Sequence, residues 1–415
     1  MNSRHDKHDN QSETDGWPTK LGNPIYTGII NPITEIPLGD ENPLVTRISF
    51  DKQCYAVGLD SGAIKMYTFT GDKVQLVYKL LPSDPDTLSC TDLQFVPYKD
   101  YVPSEKKHIL IATYASGHMK IWHYTAATPK SRLVASFLEE KIHRPNEPRK
   151  SITGRDGKII MKENNQIMAC SVSLDGGRCV TGGEDSVIRV YDLVGKKEIM
   201  KCFSTNSADK MDGHVMRICA VQYHPRGQTE ELYSHIFISG GWDDSIQIWD
   251  DRHSRSLWQY YGPHVCGSDA LDIDPEQNHI LVSSWRRDKT ILEVWKFNEE
   301  VILEFNDHRE INRTQPSYQQ YTKPISKLNQ DKNSPSMGYV AKWLGSQYIL
   351  FGGSNLNMLK ILDKATFNAV GMVSDLPNGV YSVAYNIPET ITEKRPVRMS
   401  FCSGTKLYLV KLEKK

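Results

Sequence analysis

Residues 212–252 read DGHVMRICAVQYHP, then a polar insert, then IFISGGWDDSIQIWDDR. Gly213-His214 opens the stretch and Trp249-Asp250 closes it. Between them lie three runs of strand character, Arg217–Tyr223, Ile236–Ser239 and Ser245–Trp249, and a fourth follows at Ser256–Tyr261. The runs alternate or are richly apolar, and tight-turn residues separate them. Polar atoms buried among such strands need partners. The Trp249 indole N–H, the Ser239 hydroxyl and the His214 imidazole are spaced to form a hydrogen-bonded chain, with Asp243 in the turn before the third strand completing it. A chain of this kind ties three strands and the incoming loop together.

Four short strands bracketed by Gly-His and Trp-Asp are the signature of one propeller blade. On these residues the stretch resembles the WD-repeat family. The resemblance implies an all-β fold, a single β-propeller of four-stranded blades. It also implies a structural role for His214, Ser239, Asp243 and Trp249.

Working outward, the same pattern recurs. Aligning third strands puts Tyr67, Trp122, Tyr191, Trp249, Trp295, Leu362 and Val410 in one column, 46 to 69 residues apart. A compact repeat takes roughly 40–45, so loops are inserted between strands without breaking the pattern. Seven repeats result. In the fifth the runs are Ala270–Ile273, Ile280–Ser283, Ile291–Trp295 and Val301–Phe305. The seventh offers only Val380–Tyr385, Arg398–Cys402 and Leu407–Lys411, so it lacks a fourth strand. The proline-interrupted segment Ile25–Leu38 suits an edge strand, and its part Ile33–Leu38 is available to close the ring and remove two open sheet edges. Residues 1–22 are too polar to fold by themselves and read as a disordered tail. The propeller then occupies 23–415.

The rest of the composition is permissive. The chain has 415 residues, 39% of them hydrophobic, and 50 basic residues balance 50 acidic ones. That balance gives no electrostatic reason to expect nucleic acid. Eight cysteines are scattered singly with no CxxC pair, and Cys170, Cys179 and Cys219 occupy apolar strand positions, as reduced core thiols do. The N-terminus lacks the apolar stretch of a signal peptide, and no run of 18 apolar residues exists. These features predict a cytoplasmic protein with no integral membrane association, a monomeric propeller within a larger complex.

In this family the connection from a fourth strand to the next blade lies on the upper face. The two longest inserts, 139–165 and 306–337, both follow a predicted fourth strand and are expected there. The second carries Tyr318, Tyr321, Lys323 and Lys327, suggesting either a basic, Tyr-bearing rim or a solvated loop. Near the central opening, Tyr114, Trp242, Trp285, Arg286 and Arg287 are candidate partner-binding residues. Aromatic and Arg side chains anchor interfaces, and adjacent guanidinium groups suit a carboxylate or phosphate.

Catalytic constellations are not assembled by the sequence. Ser173-Leu-Asp175-Gly176-Gly177 reads as a turn. His264-Val-Cys266 has poor metal-ligand spacing and no second pair, and His214 and Asp243 are accounted for by the blade's own bonds. No metal and no cofactor are expected. Two binding motifs stand beside this reading. Phe237–Arg252 resembles the box by which WD-repeat substrate receptors dock on a cullin–RING ligase adaptor, with Arg252 as the residue that blade chemistry does not require. Trp285-Arg286-Arg287-Asp288 is similar to the paired-arginine motif of phosphoinositide-binding propellers, but Asp288 stands where that motif has Gly. The resemblance therefore implies a non-catalytic scaffold that presents its upper face to other proteins.

Overall fold

Alternating strand runs and polar turns resolve into seven antiparallel sheets set radially around one axis. The computed structural model describes residues 23–70, 73–81, 88–97, 107–125, 130–143, 163–205, 211–286, 290–309, 316–331, 335–386 and 397–413. The tail 1–22, most of the insert 139–165 and Arg287 lie outside the described residues. β1 (Ile25–Gly28) and β2 (Ile30–Pro37) come first. Blade one is β3 (Pro43–Ile48), β4 (Cys54–Leu59), β5 (Ile64–Thr70) and β6 (Lys73–Leu80). Blade two is β7 (Cys90–Phe95), β8 (Lys107–Tyr114), β9 (His118–Thr125) and β10 (Lys130–Leu138). Blade three is β11 (Ile167–Val172), β12 (Arg178–Gly183), β13 (Ile188–Asp192) and β14 (Lys197–Cys202). Blade four is β15 (Ile218–Tyr223), β16 (Ile236–Gly241), β17 (Ser245–Asp250) and β18 (Trp258–Tyr261).

In blade five, β19 (Leu271–Asp274), β20 (His279–Ser283) and β21 (Thr290–Lys296) are followed by a helix, α1 (Glu300–Asn306), before β22 (Ser326–Asn329). Blade six is β23 (Met337–Leu344), β24 (Tyr348–Ser354), β25 (Met358–Asp363) and β26 (Ala369–Ser374). Blade seven is β27 (Val383–Tyr385), β28 (Val397–Ser403) and β29 (Lys406–Leu412). Its fourth strand is β2, which pairs antiparallel with β29 from Ile30↔Leu412 to Pro37↔Lys406. The ring closes as expected, and Pro32 and Pro37 are tolerated because β2 is an outer strand.

Two features depart from the sequence reading. Val301–Phe305 is helical, and the fourth strand of blade five comes from inside the segment 306–337. Val301 and Ile302 are buried, Phe305 packs beside them and Leu303 is exposed. That is a helical face, not a period of two. Residues 297–325 therefore join a third strand to a fourth. In an up-and-down sheet such a link falls at the same end as first-to-second links, so it lies on the lower face rather than the upper. Tyr318 and Tyr321 are not a rim. Both are buried against Trp258, with ring centroids 5.0 and 6.3 Å away.

The second departure is β1, which pairs with β26 from Ile25↔Ser374 to Gly28↔Gly371 and gives blade six a fifth strand. The chain steps from blade six to blade seven at Gly28, where φ is +69° and a Cβ would stand 2.0 Å from the Val370 carbonyl oxygen. Only glycine fits there. Ile30, just beyond the step, is buried with Val340, Leu359 and Tyr408.

The core lies between blades. Ile188 and Val190 of blade three pack with Tyr223, Phe237 and Trp249 of blade four. Both faces of β16 and β17 are buried, which is why those strands read as continuous apolar and small residues. Five of the first strands, β3, β7, β11, β15 and β23, shift register at their upper ends. These bulges bend the innermost strands where they crowd the axis. All eight cysteines are free thiols, and seven are buried. Among the described residues no helix is long and apolar enough to cross a membrane.

Candidate functional site

The hydrogen-bonded chain of blade four is built from a loop and two strands. The Trp249 indole N–H donates to Ser239 Oγ at 2.7 Å, and Ser239 Oγ lies 2.6 Å from His214 Nε2. His214 Nδ1 is 2.9 Å from Asp243 Oδ2, which also accepts from the Val215 backbone N–H. One tautomer satisfies every contact: Ser239 donates to Nε2 while Nδ1–H donates to Asp243. Burial alone would raise the Asp243 carboxyl. His214, Val215 N–H and the Ser245 hydroxyl outweigh it and hold the pKa at about 2. Each buried polar atom of the chain is spent on structure.

Blade three solves the same problem with charge. Glu139, the residue before the isolated bridge between Glu140 and Asn164, projects into the blade. Its Oε1 accepts from Thr181 Oγ1 at 2.5 Å and from the Tyr191 hydroxyl at 3.0 Å. Its Oε2 accepts from Asn165 Nδ2 at 2.7 Å and pairs with Arg189 at 3.1 Å. Thr181, Asp185 and Tyr191 stand where Ser239, Asp243 and Trp249 stand in blade four, and Glu139 replaces the histidine. Burial raises the Glu139 carboxyl, with Arg189 opposing.

Around the axis the first strands are stitched by side chains into a closed ring. Arg47 Nη2 pairs with Asp92 at 2.7 Å, and Asp92 Oδ2 accepts from the Cys170 N–H. Ser171 Oγ accepts from the Tyr223 N–H, and Gln222 donates to Asp272. Asp272 accepts from the Trp343 N–H, the Tyr385 hydroxyl donates to the Trp343 carbonyl, and Ser382 Oγ accepts from the Thr46 N–H. Arg47 also crosses the axis to Asp269 of blade five at 2.9 Å. Burial would raise the Asp269 carboxyl, but Arg47 and Lys342 hold it low. The centre is thus a polar hub that joins blades.

The upper face carries what is left. Second-to-third and fourth-to-first links from blades four to seven bring six side chains into one ribbon. The Arg217 guanidinium lies 4.2 Å from the Trp242 ring centroid. Trp242 and His264 are 5.6 Å apart, and His264 and Trp285 are 6.3 Å apart. The Trp285 indole N–H donates to the Tyr339 hydroxyl at 2.7 Å, and Tyr339 meets Tyr381 edge-on at 4.9 Å. Backbone bonds fix the ribbon from beneath: Trp242 N–H donates to Arg217 O, and Trp285 N–H to His264 O, each at 3.0 Å. Trp285 is 37% exposed, a large fraction for a tryptophan whose polar atom is already satisfied.

Of the residues singled out in the sequence, Trp242, Trp285 and Arg286 fall on this face. Arg286 is paired with Asp244, whose other oxygen holds His264 Nδ1 at 2.8 Å. Tyr114 does not belong there. It is 1% exposed, packed in the core between blades one and two because it ends a strand buried on both faces. Arg252 lies on the lower face. Its guanidinium forks onto Asp250 at 2.9 and 2.6 Å and reaches Asn306 of α1, and half of the side chain is exposed. Arg217, His264, Tyr339 and Tyr381 were missed. A signal exists for three of them, since Arg217, Tyr339 and Tyr381 all sit at or just before the upper end of a first strand.

Among the described residues, His235, Asp250 and Asp251 on the lower face form a group that could suit a cation. Arg178 pairs with Asp251 at 2.9 Å and Arg252 with Asp250, so this cluster already has its positive charge.

Comparison with known proteins agrees with the geometry. A family model for the WD domain, G-beta repeat, matches residues 152–192 and 205–250, which hold the first three strands of blades three and four. The WD40 repeat protein poxJ of Penicillium oxalicum is 23% identical over 129 residues, 31% of this chain and 33% of that protein. The counterpart from a named strain of the same organism gives the same figures. The chain therefore spans about a third of the length of the curated relatives it matches. With seven radial sheets and a latched last blade, the chain is a seven-bladed β-propeller, and two of its repeats are similar to the WD domain, G-beta repeat.

Proposed function

We propose that this protein is a non-catalytic scaffold that docks other proteins on its upper face, over blades four to seven. The observation that carries the reading is the continuous ribbon from Arg217 to Tyr381. Tryptophan, tyrosine and arginine supply most of the binding energy at protein interfaces. Here they sit on loops whose backbones are bonded to one another, so little ordering entropy is lost on binding. The buried tetrad, its charged counterpart in blade three and the hub are all satisfied internally, which leaves them in structural roles.

The test is affinity capture with the intact protein and a Trp242→Ala/Trp285→Ala variant. The variant is expected to keep its melting temperature within a few degrees and to lose its partners. Retention of every partner by a folded double variant would refute upper-face docking. An Arg252→Ala protein run alongside separates the adaptor-docking alternative. That substitution is expected to leave all complexes intact, because Asp250 and Asn306 already occupy the guanidinium.

A further inference from the structure

The sequence suggests Arg286 and Arg287 as the anion contact, and the structure shifts it. Arg286 is engaged by Asp244, which is shared with His264. Arg217 is different. Its guanidinium lies on the Trp242 ring, and among the described residues it makes no ion pair with a carboxylate. Stacking uses the face of a guanidinium and leaves its N–H donors at the edge, in the fork geometry that matches a carboxylate. The Trp242 N–H bond to the Arg217 carbonyl holds the pair together. Exposed apolar surface accompanies it: Met216, the residue before Arg217, is 47% exposed, and Trp285 lies two rings further along the ribbon.

We propose that the upper face recognises a peptide segment of its protein partner in which an aspartate or glutamate lies within a few residues of a bulky apolar side chain. Arg217 takes the carboxylate in a two-bond fork, and Trp285 covers the apolar group. Charge complementarity selects this occupant. An unpaired cation beside aromatic surface disfavours basic segments and gains most from an acidic one. The proposal rests on the docking reading above and makes it specific.

Selection of a phage-displayed library of random dodecapeptides on the full-length protein tests it. Enriched peptides are expected to share Asp or Glu within three residues of an aromatic or large aliphatic residue. The affinity of the best peptide should fall about 10- to 100-fold on Arg217→Gln, the range of a charge-assisted pair. Arg217→Lys should recover part of the loss, because charge is kept without the fork. Replacing the peptide's acid by its amide should weaken binding to the native protein but not to Arg217→Gln. Unchanged thermal melting of the variants shows that the propeller is intact. Enrichment without acidic preference, or equal binding by Arg217→Gln, would overturn the proposal while leaving upper-face docking standing. Failure to enrich any peptide sensitive to Trp242→Ala or Trp285→Ala would overturn both.

Discussion

Ser239 accepts from one buried group and donates to another, so its hydroxyl is the link on which the blade-four chain depends. Removing it strands the Trp249 N–H and one histidine nitrogen in a site that water does not reach. Each unsatisfied buried group costs about 1–3 kcal/mol, and Ser239→Ala is expected to destabilise the protein by about 2–4 kcal/mol in equilibrium denaturation. Ser239→Thr, which keeps the hydroxyl, is expected to cost less. This lock was legible in the sequence because its four residues recur within one repeat and in a fixed order. Glu139 was not. Its partners Thr181, Arg189 and Tyr191 lie 42 to 52 positions further along the chain, and nothing local marks a glutamate after a fourth strand as the substitute for histidine. Tyr114 misled for a related reason. An aromatic at a strand's upper end looks like a rim residue unless the neighbouring blade that covers it is already known.

Elements on the lower face depend on a buried neutral histidine. His224 stacks on Tyr233 with centroids 3.9 Å apart, meets Phe297 edge-on and donates from Nε2 to Asn278 Oδ1 at 2.8 Å. Its Nδ1 accepts from the Arg226 N–H, so both nitrogens are committed to the uncharged ring. It thereby joins the blade-four insert to residues leading into α1. Burial, assisted by Arg226, lowers its pKa from 6.5 to about 4. The unfolded chain therefore takes up this proton first as acid is added. Its contribution to stability is complete above pH 6.5 and is lost progressively down to pH 4, by roughly 3 kcal/mol at about 1.4 kcal/mol per pH unit. In urea titrations across that window, His224→Phe, which retains the stacking, is expected to flatten the slope. A slope equal to that of the native protein would remove His224 as its source. The helix α1 shows why element type can be misread: five residues are too few to separate a strand from a helical turn when a β-rich context sets the expectation.

At the scale of the molecule, the number of blades and the closure by the N-terminal segment were both readable, since a repeat short of one strand calls for a strand elsewhere. The extra strand on blade six was not, because a four-residue run with no alternating pattern gives no register. The two strands allow a graded test. Deleting residues 1–28 removes β1 alone and is expected to leave a monomer with a cooperative melt. Deleting residues 1–37 also removes β2 and bares the edge of β29, and an open edge invites pairing with other chains. Light scattering and calorimetry of this second deletion are expected to show self-association and a broad, lowered transition. A sharp monomeric melt would mean that three strands suffice for blade seven.

The pairing of Ile30–Pro37 with Lys406–Leu412 also has a consequence in time. During synthesis Ile30–Pro37 leaves the ribosome long before its partner Lys406–Leu412 is made. At about 5–20 residues per second the wait is roughly 20–75 s. Throughout that interval an apolar strand with proline breaks has no mate, while successive blades assemble behind it. The two prolines then act as guards as well as edge markers: lacking N–H donors, they make the waiting segment a poor template for premature pairing with neighbouring nascent chains.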